Sequence, residues 1–191
     1  TDSHVVMNLW EGLVRMIVFF LYIYGISRAK DIQRVFQYHG AEHKTIHAYE
    51  AGVELIPENV QKFSRLHPRC GTSFLLIVMI VSIFMFSFLG WPSLWERIIS
   101  RVLLLPVVAG ISYELIRFAG RSKSKIVHAI SLPGLWLQYL TTREPDDSMI
   151  EVAVKSLKAA IEVEETAKVE TKNDDTIDKQ DLNDLKVNAS I

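Results

Sequence analysis

The sequence predicts an all-α, polytopic integral membrane protein with about three transmembrane helices, and three observations support this fold class. Apolar stretches dominate roughly the first 140 of the 191 residues, although the whole chain is only 49% hydrophobic. A segment with helical periodicity, rich in histidine and glutamate, lies between two of those stretches. The last 28 residues are charged and almost free of aromatic side chains. We therefore expect a helical membrane domain over residues 1–163 and a disordered tail over residues 164–191.

Three stretches are candidates for membrane spans, and we expect them to cross the bilayer at about residues 5–27, 72–91 and 98–118. The first contains Glu11 and Arg15, which can form an ion pair at this spacing on a helix. Lying partly in the membrane interface is the alternative for this stretch. Pro106 removes a backbone hydrogen bond from the third stretch and should kink it. Lysine and arginine gather after the first and third stretches, which predicts that both of these regions face the cytoplasm.

Three further helices are expected outside the spans, at about residues 31–51, 133–141 and 148–163. Ser27 or Asp31 can cap the first of them, and Gly52 suits the position after its last turn. The second is too short to span and should lie in the membrane interface or re-enter the bilayer. Asp146 or Asp147 can cap the third, which has apolar residues with helical spacing at positions 150, 153, 154, 157 and 161.

Composition and charge exclude several classes of protein. The formal net charge is −1, and no basic patch is interleaved with aromatic residues, so we expect no nucleic-acid partner. A single cysteine excludes an internal disulfide framework and a multi-cysteine zinc cluster. The chain starts at Thr1 without the pattern of a secretory leader, so we expect it to be a piece of a longer protein.

Residues 39–50 hold three of the six histidines and two glutamates, and no other stretch is as well suited to chemistry. Steps of three and four residues return side chains to one face of a helix. This face continues an apolar stripe, so it should be buried, and buried ionisable groups need a metal or one another as partners. Gly40 would let another backbone or a substrate approach, whereas Lys44 should be solvated. The ionisable residues of the face are His39, Glu42, His43, His47 and Glu50.

The first half of this face reads His-x-x-Glu-His, the inverted zincin motif, formed by His39, Glu42 and His43. In that motif the two histidines bind zinc, and the glutamate is the general base for a water whose pKa the zinc lowers. A hydrogen-bonded polar cluster that packs the helix is the structural alternative. A third metal ligand is required, and the candidates are His47, Glu50, His67, Cys70 and Glu114.

Two of these candidates lie on predicted spans. Cys70 would begin the second span, where the helix dipole, Arg69 and His67 favour the thiolate, although a small apolar role is the alternative. Glu114 would lie in the third span, where a carboxylate needs a partner, either the metal or an arginine such as Arg117. Both residues should lie at the same membrane face as the histidines.

Three motifs, in this order along the chain, resemble the YqhQ-like family of bacterial membrane proteins: Phe36 to Lys44, His67 to Ser73, and Leu132 to Asp147. The resemblance covers nearly everything from about residue 1 to about residue 160. It implies membership of domain of unknown function 1385, whose members are often described as predicted metal-dependent enzymes. Family members are longer at the N-terminus, with further apolar segments, so an active site that needs those segments would be incomplete here.

The resulting hypothesis is a membrane-embedded, zinc-dependent hydrolase, multi-pass in the bacterial cytoplasmic membrane and active at its cytoplasmic face. The cofactor would be a divalent metal, zinc first. Its partners would be the lipid bilayer, a lipid or membrane-peptide substrate, and a second copy or another membrane protein. Two other classes remain open, namely an ion or proton transport element that uses the same His/Glu cluster, and a membrane scaffold or assembly factor whose polar cluster is structural.

Overall fold

The computed structural model describes residues 2–89, 93–121 and 124–188, and within them the side chains of residues 4–89, 93–120, 124 and 131–168. Over this part of the chain all regular structure is helical, in seven helices and without a strand. The predicted all-α class is therefore confirmed. The helices are α1 (Asp2–Ile26), α2 (Lys30–Glu50), α3 (Pro57–Val60), α4 (Gly71–Ser87), α5 (Leu94–Arg121), α6 (Lys125–Thr141) and α7 (Asp147–Asn188).

Two of the helices are long and apolar enough to cross a membrane, α1 over His4–Ile26 and α5 over Leu94–Gly120. Only 6% of the apolar window of α1 and 17% of that of α5 are buried inside the protein, so most of their apolar surface faces outwards. Helix α4 is equally apolar but has 17 residues. At 1.5 Å per residue it reaches about 25 Å, less than the roughly 30 Å of a hydrocarbon core.

The end of α4 differs from the sequence prediction. The helix stops at Ser87, whereas the predicted span continued to residue 91, and residues 90–92 lie outside the described part of the chain. In the third stretch, α5 is longer than predicted at both ends and keeps Pro106 inside one continuous helix. The number of membrane spans remains a prediction.

An ion-pair cluster around Glu11 joins α1 to α5 within the apolar segments of the two helices. The carboxylate of Glu11 accepts a hydrogen bond from Arg15 at 3.1 Å, as its i, i+4 spacing predicted. It also accepts one from Arg101 of α5 at 3.2 Å, which the sequence did not indicate. One carboxylate shared by two guanidinium groups satisfies the otherwise costly charges on both helices.

A small hydrophobic core packs α2 and α3 against α7. Its fully buried members include Ala41 and Ala48 of α2, Val60 of α3 and Ile150 of α7. The predicted cap of α7 is formed by Asp146, whose Oδ1 accepts a hydrogen bond from the backbone N–H of Met149 at 3.0 Å. This core holds one face of α2 against α7, and the neighbouring face, which carries the histidines, turns towards the loop before α4.

The ends of α2 follow one prediction and depart from another. Gly52 has the predicted left-handed conformation after the last turn, with φ of 68°. At the other end the N-cap is Ala29, not Ser27 or Asp31. The Ser27 hydroxyl donates instead to the carbonyl of Tyr24, which belongs to the preceding helix.

Helices α6 and α7 are both longer than predicted. Helix α6 begins at Lys125, so Pro133 lies inside it and not near its start. Helix α7 does not end near residue 163, and the region predicted to be a disordered tail continues the helix to Asn188. No glycine or proline interrupts residues 164–188. Pairs at i, i+4, such as Lys168 with Glu164 at 2.5 Å, support a helix whose composition is charged.

Candidate metal centre

The backbone at Gly40 of α2 is in close contact with the backbone at Arg143, beside the histidine motif. A Cβ on Gly40 would overlap the carbonyl oxygen of Arg143 and lie 3.2 Å from its carbonyl carbon. The N–H of Arg143 donates to the carbonyl of Phe36 at 2.8 Å, which fixes this crossing. The expectation that Gly40 admits another backbone is therefore confirmed, and the segment it admits is the one that follows α6.

One group of possible ligands consists of His39, His43 and Cys70, whose ligand atoms all lie within 4.8 Å of one another. Nε2 of His39 is 3.2 Å from Sγ of Cys70, and the two imidazole rings are 4.4 Å apart. His43 and Cys70 are buried, with 3% and 5% of their surface exposed, while His39 is half-buried. Both histidines of the predicted motif thus meet one of the five candidates for a third ligand.

Backbone carbonyls orient both histidines through Nδ1. Nδ1 of His39 donates to the carbonyl of Thr141 at 2.8 Å, and Nδ1 of His43 donates to the carbonyl of Arg65 at 2.6 Å. A carbonyl only accepts, so each Nδ1 carries a proton, and Nε2 is the atom that each neutral ring would offer to a metal. Histidine ligands in metal sites are commonly oriented by such a bond.

Cys70 supplies the negative charge of this group. It is the N-cap of α4, so its sulfur lies at the positive end of that helix. Burial alone raises the pKa of the thiol, but hydrogen bonds to His39, His43 and Thr72 lower it to about 5. The predicted thiolate is supported by the helix dipole, as expected, and by these hydrogen bonds, whereas the guanidinium group of Arg69 pairs with Glu50.

The pKa of His39 responds to the same contact. Burial lowers it, but the hydrogen bonds to Cys70 and Thr141 and the nearby negative charges outweigh burial, so the net pKa is raised. Cys70 and His39 therefore stabilise each other's charged forms, as a thiolate and an imidazolium, when no cation lies between them.

The metal-free protein is expected to titrate its single thiol with a pKa of about 5, well below the ordinary cysteine pKa of roughly 8.5. Thiolate absorbance in the far ultraviolet, followed against pH after chelation and corrected with Cys70→Ser, measures this directly. Because an acid with a lowered pKa stays ionised above that value, the signal should persist at neutral pH and fall near pH 5. His39→Ala should move the midpoint upwards. A midpoint near 8 in the unsubstituted protein would contradict the geometry.

A second group, His47, Glu50 and His67, lies beside the first, and its ligand atoms are also within 4.8 Å of one another. Nε2 of His47 donates to the carbonyl of Leu66 at 2.9 Å. Nδ1 of His67 accepts the N–H of Arg69 at 3.2 Å, so the neutral ring of His67 carries its proton on Nε2. That nitrogen faces Oε2 of Glu50 at 3.7 Å.

The protonated Nε2 of His67 has no lone pair for a metal, and this distinguishes the two groups. The pKa of His67 is lowered to about 4, first by burial and then by the proximity of His47 and His43, so the ring is neutral at physiological pH. The second group is therefore a neutral histidine beside a carboxylate, which Arg69 neutralises. Of the third-ligand candidates, Cys70 is the one grouped with His39 and His43, whereas His47, Glu50 and His67 form a separate group.

The two remaining predicted site residues lie outside both groups. Glu42 is exposed and lines a groove of about 340 Å³ between α2 and α7, together with Tyr38, Ile46 and Val152. Its charge still contributes to the raised pKa of His39, so it lies at the edge of the site. Glu114 pairs with Arg117 at 3.2 Å and its side chain is 65% exposed, as the ion-pair alternative anticipated.

Gln138 is a supporting residue that the sequence analysis missed. Its side-chain oxygen accepts the N–H of His67, and its nitrogen donates to the His67 carbonyl and to Ser73, all at 2.8 Å. It is fully buried, and it ties α6 to the loop that presents Cys70. The available signal was an amide in an otherwise apolar stretch, which is weak without knowledge of what it faces.

Comparisons with known proteins give two matches. The family model described as "Protein of unknown function (DUF1385)" matches residues 1–163. The chain is 45% identical over 155 residues to a protein of Bacillus subtilis (strain 168) described as "Uncharacterized protein YqhQ". The match covers 81% of this chain and 49% of the relative, so the chain spans about half the length of the curated relative it matches. No solved structure matches.

Proposed function

This chain belongs to the DUF1385 family of proteins of unknown function, as the three motifs predicted, and we propose that it is a membrane-embedded, zinc-dependent hydrolase. The observation that carries the proposal is the convergence of His39, His43 and Cys70, with both histidines oriented through Nδ1 so that Nε2 can serve as the ligand atom. No other set of described side chains combines two such histidines with a thiolate.

The chemistry of this donor set suits zinc. Two neutral imidazoles and one thiolate are typical ligands of Zn²⁺, and three protein ligands are the usual number in catalytic sites. The carbonyls of Thr141 and Arg65 orient the rings, and the Thr72 hydroxyl lies 3.2 Å from Sγ of Cys70. These contacts are the outer interactions that tune metal sites. A bound zinc would supply a Lewis acid and an activated water.

Glu42 is the residue we assign as general base. It lies close enough to raise the pKa of His39, and His39 is the member of the triad with solvent access. A carboxylate at that edge can accept a proton from an attacking water. The groove beside it is lined mainly by apolar side chains, which fits an acyl chain or an extended peptide better than a polar metabolite.

The location we propose is the bacterial cytoplasmic membrane, with the metal centre at its cytoplasmic face. The outward apolar surfaces of α1 and α5 support insertion. The concentration of lysine and arginine around the histidine loop supports this orientation. A lipid or a membrane peptide is then the accessible substrate, and a second copy or another membrane protein can cover the remaining apolar surface.

A metal-free cysteine enzyme is a second candidate, and one contact favours it. The 3.2 Å approach of His39 Nε2 to Cys70 Sγ, with His39 oriented by a carbonyl, is the arrangement of a thiolate nucleophile and its base. The two candidates differ in one property, because only the first requires a stoichiometric metal.

Metal analysis of the detergent-purified full chain tests the proposal. We expect about one zinc per chain, retained in Glu42→Gln because Glu42 is not a ligand. Glu42→Gln should nevertheless lose hydrolysis of acyl or peptide reporter substrates. A metal-free protein that is alkylated at Cys70 with loss of activity would favour the cysteine enzyme. Proton flux in liposomes would favour the transport element, and full tolerance of every ligand substitution would favour the scaffold.

A further inference from the structure

A cavity of about 410 Å³ opens where the chain leaves α6 and crosses α2. None of the three proposed metal ligands lines it. Two cationic side chains, two neutral polar ones, one tyrosine and one carboxylate form its wall. These residues are Arg65, Arg143, Gln37, Thr142, Tyr139 and Glu144.

Positive charge exceeds negative charge around this cavity. Lys44, which was expected to be solvated, is buried, with only 4% of its surface exposed. Its Nζ pairs with the Glu144 carboxylate at 2.9 Å. Arg65 pairs with the same carboxylate at 3.2 Å. Arg143 has no ion pair with any carboxylate in the described parts of the chain. Three cations against one carboxylate leave two positive charges without a counter-ion.

Arg143 also has an unused hydrogen-bond donor. Its Nη2 donates to the carbonyl of Ser27 at 3.1 Å. Its Nε is buried and has no acceptor among the residues that the structure describes. A buried donor of a charged group that lacks an acceptor is costly, and such groups commonly mark the position of a ligand.

The carboxylate of Glu144 already shows how an anion would bind. One of its oxygens lies 2.9 Å from Nζ of Lys44 and the other lies 3.2 Å from Nε of Arg65, so a single carboxylate pairs with two cations. The Glu144 side chain is 66% exposed, while those of Lys44 and Arg65 are 5% and 21% exposed. The carboxylate can therefore swing into solvent while the cations stay in place.

We propose that this cavity binds a phosphate group in the place held by the Glu144 carboxylate. A phosphate monoester carries about −1.5 to −2 charges, more than the single charge of the carboxylate it would displace, and it has further oxygens for the guanidinium group of Arg143, which lines the same cavity. The phosphate can be free or carried on a lipid. Tyr139 in the wall and Trp136 on the same helix are 57% and 63% exposed, a pairing typical of the headgroup level of a membrane.

Thermal unfolding of the full chain in a nonionic detergent tests this site with inorganic phosphate. We expect phosphate to raise the midpoint by stabilising the folded state, and sodium chloride of equal ionic strength to do so much less. Short-chain phosphatidic acid, with diacylglycerol of equal chain length as its control, distinguishes the source. A shift with phosphatidic acid alone identifies a lipid headgroup, whereas equal shifts at equal phosphate concentration show that free phosphate suffices.

Two substitutions with opposite expected effects make the test specific. Glu144→Gln removes the competing carboxylate and should tighten phosphate binding about tenfold, equivalent to 1.4 kcal/mol. Arg143→Gln should weaken it by a similar factor. Glu151→Gln, an exposed glutamate of α7, is the matched control. Chloride acting as well as phosphate, or unchanged phosphate affinity in Glu144→Gln, would overturn the proposal. Neither readout depends on metal content, so the zinc proposal can fail separately.

Discussion

Replacing His43 by alanine is expected to lower zinc affinity by more than 100-fold, so that the purified protein no longer holds a stoichiometric metal. The reason is that substitutions of residues that merely orient a ligand already cost about 10–100-fold in affinity. His43 is itself a proposed ligand, and it is buried, with 3% of its surface exposed. Cys70→Ser should have a comparable effect, since it replaces a thiolate by a neutral hydroxyl.

Two other histidine substitutions are the controls for this result. His47→Ala changes a histidine on the same helix that belongs to the second group, and it should leave zinc stoichiometry unchanged. His4→Ala changes an exposed histidine of α1 and should also be neutral. Metal content and competition with a zinc chelator measure all of these variants. A loss of zinc in His47→Ala as large as that in His43→Ala would show that the ligand assignment is wrong.

Gly40→Ala is expected to destabilise the folded protein by about 3 kcal/mol or more, the upper end of the range for overpacking. The added Cβ would overlap the Arg143 carbonyl, which is backbone and cannot rotate away. Moving that segment would break the 2.8 Å bond from Arg143 N–H to Phe36. It would also displace the Thr141 carbonyl that orients His39, so we expect weaker zinc binding as well.

Gly110→Ala in α5 is the matched control, since a Cβ there meets nothing within 4 Å. Alanine is the better helix former by about 1 kcal/mol, so this change should be neutral or slightly stabilising. Thermal or denaturant unfolding of the detergent-solubilised variants measures both effects. Equal stability of the two variants would mean that α2 and the segment after α6 do not cross as closely as described.

The local elements followed from the sequence because they depend on neighbours along the chain. Apolar length predicted α1 and α5, and helical spacing predicted α2 and the buried positions of α7. Asp146 and Gly52 performed the capping roles that their residue types favour. The excess length of α7 was missed because composition is a weak guide to where a helix ends when neither glycine nor proline stops it. Helix α6 was predicted to start near Pro133, whereas that proline lies inside it.

The pair His39 and His43 was determined by the sequence alone, since two residues four apart share a helix face wherever the helix packs. Which residue completes the site was decided by tertiary structure. Cys70 is 31 positions from His39, and Glu114 was an equally reasonable candidate until the packing of α4 brought only Cys70 to the imidazoles. The spacing of residues within one helix is a local property of the sequence. The identity of a third ligand, in contrast, depends on how separate helices pack against one another.

The protonation states and the anion cavity were likewise decided by tertiary contacts. Carbonyls of Thr141 and Arg65 orient His39 and His43 through Nδ1, and no sequence pattern identifies a backbone acceptor so far along the chain. Lys44 follows the motif as an ordinary charged residue, but in the fold it is buried, where its Nζ donates to the Gln61 carbonyl and pairs with Glu144. The sequence by itself thus determined most of the helices and the zinc-type motif, whereas packing decided which side chains meet that motif and which cations surround the second cavity.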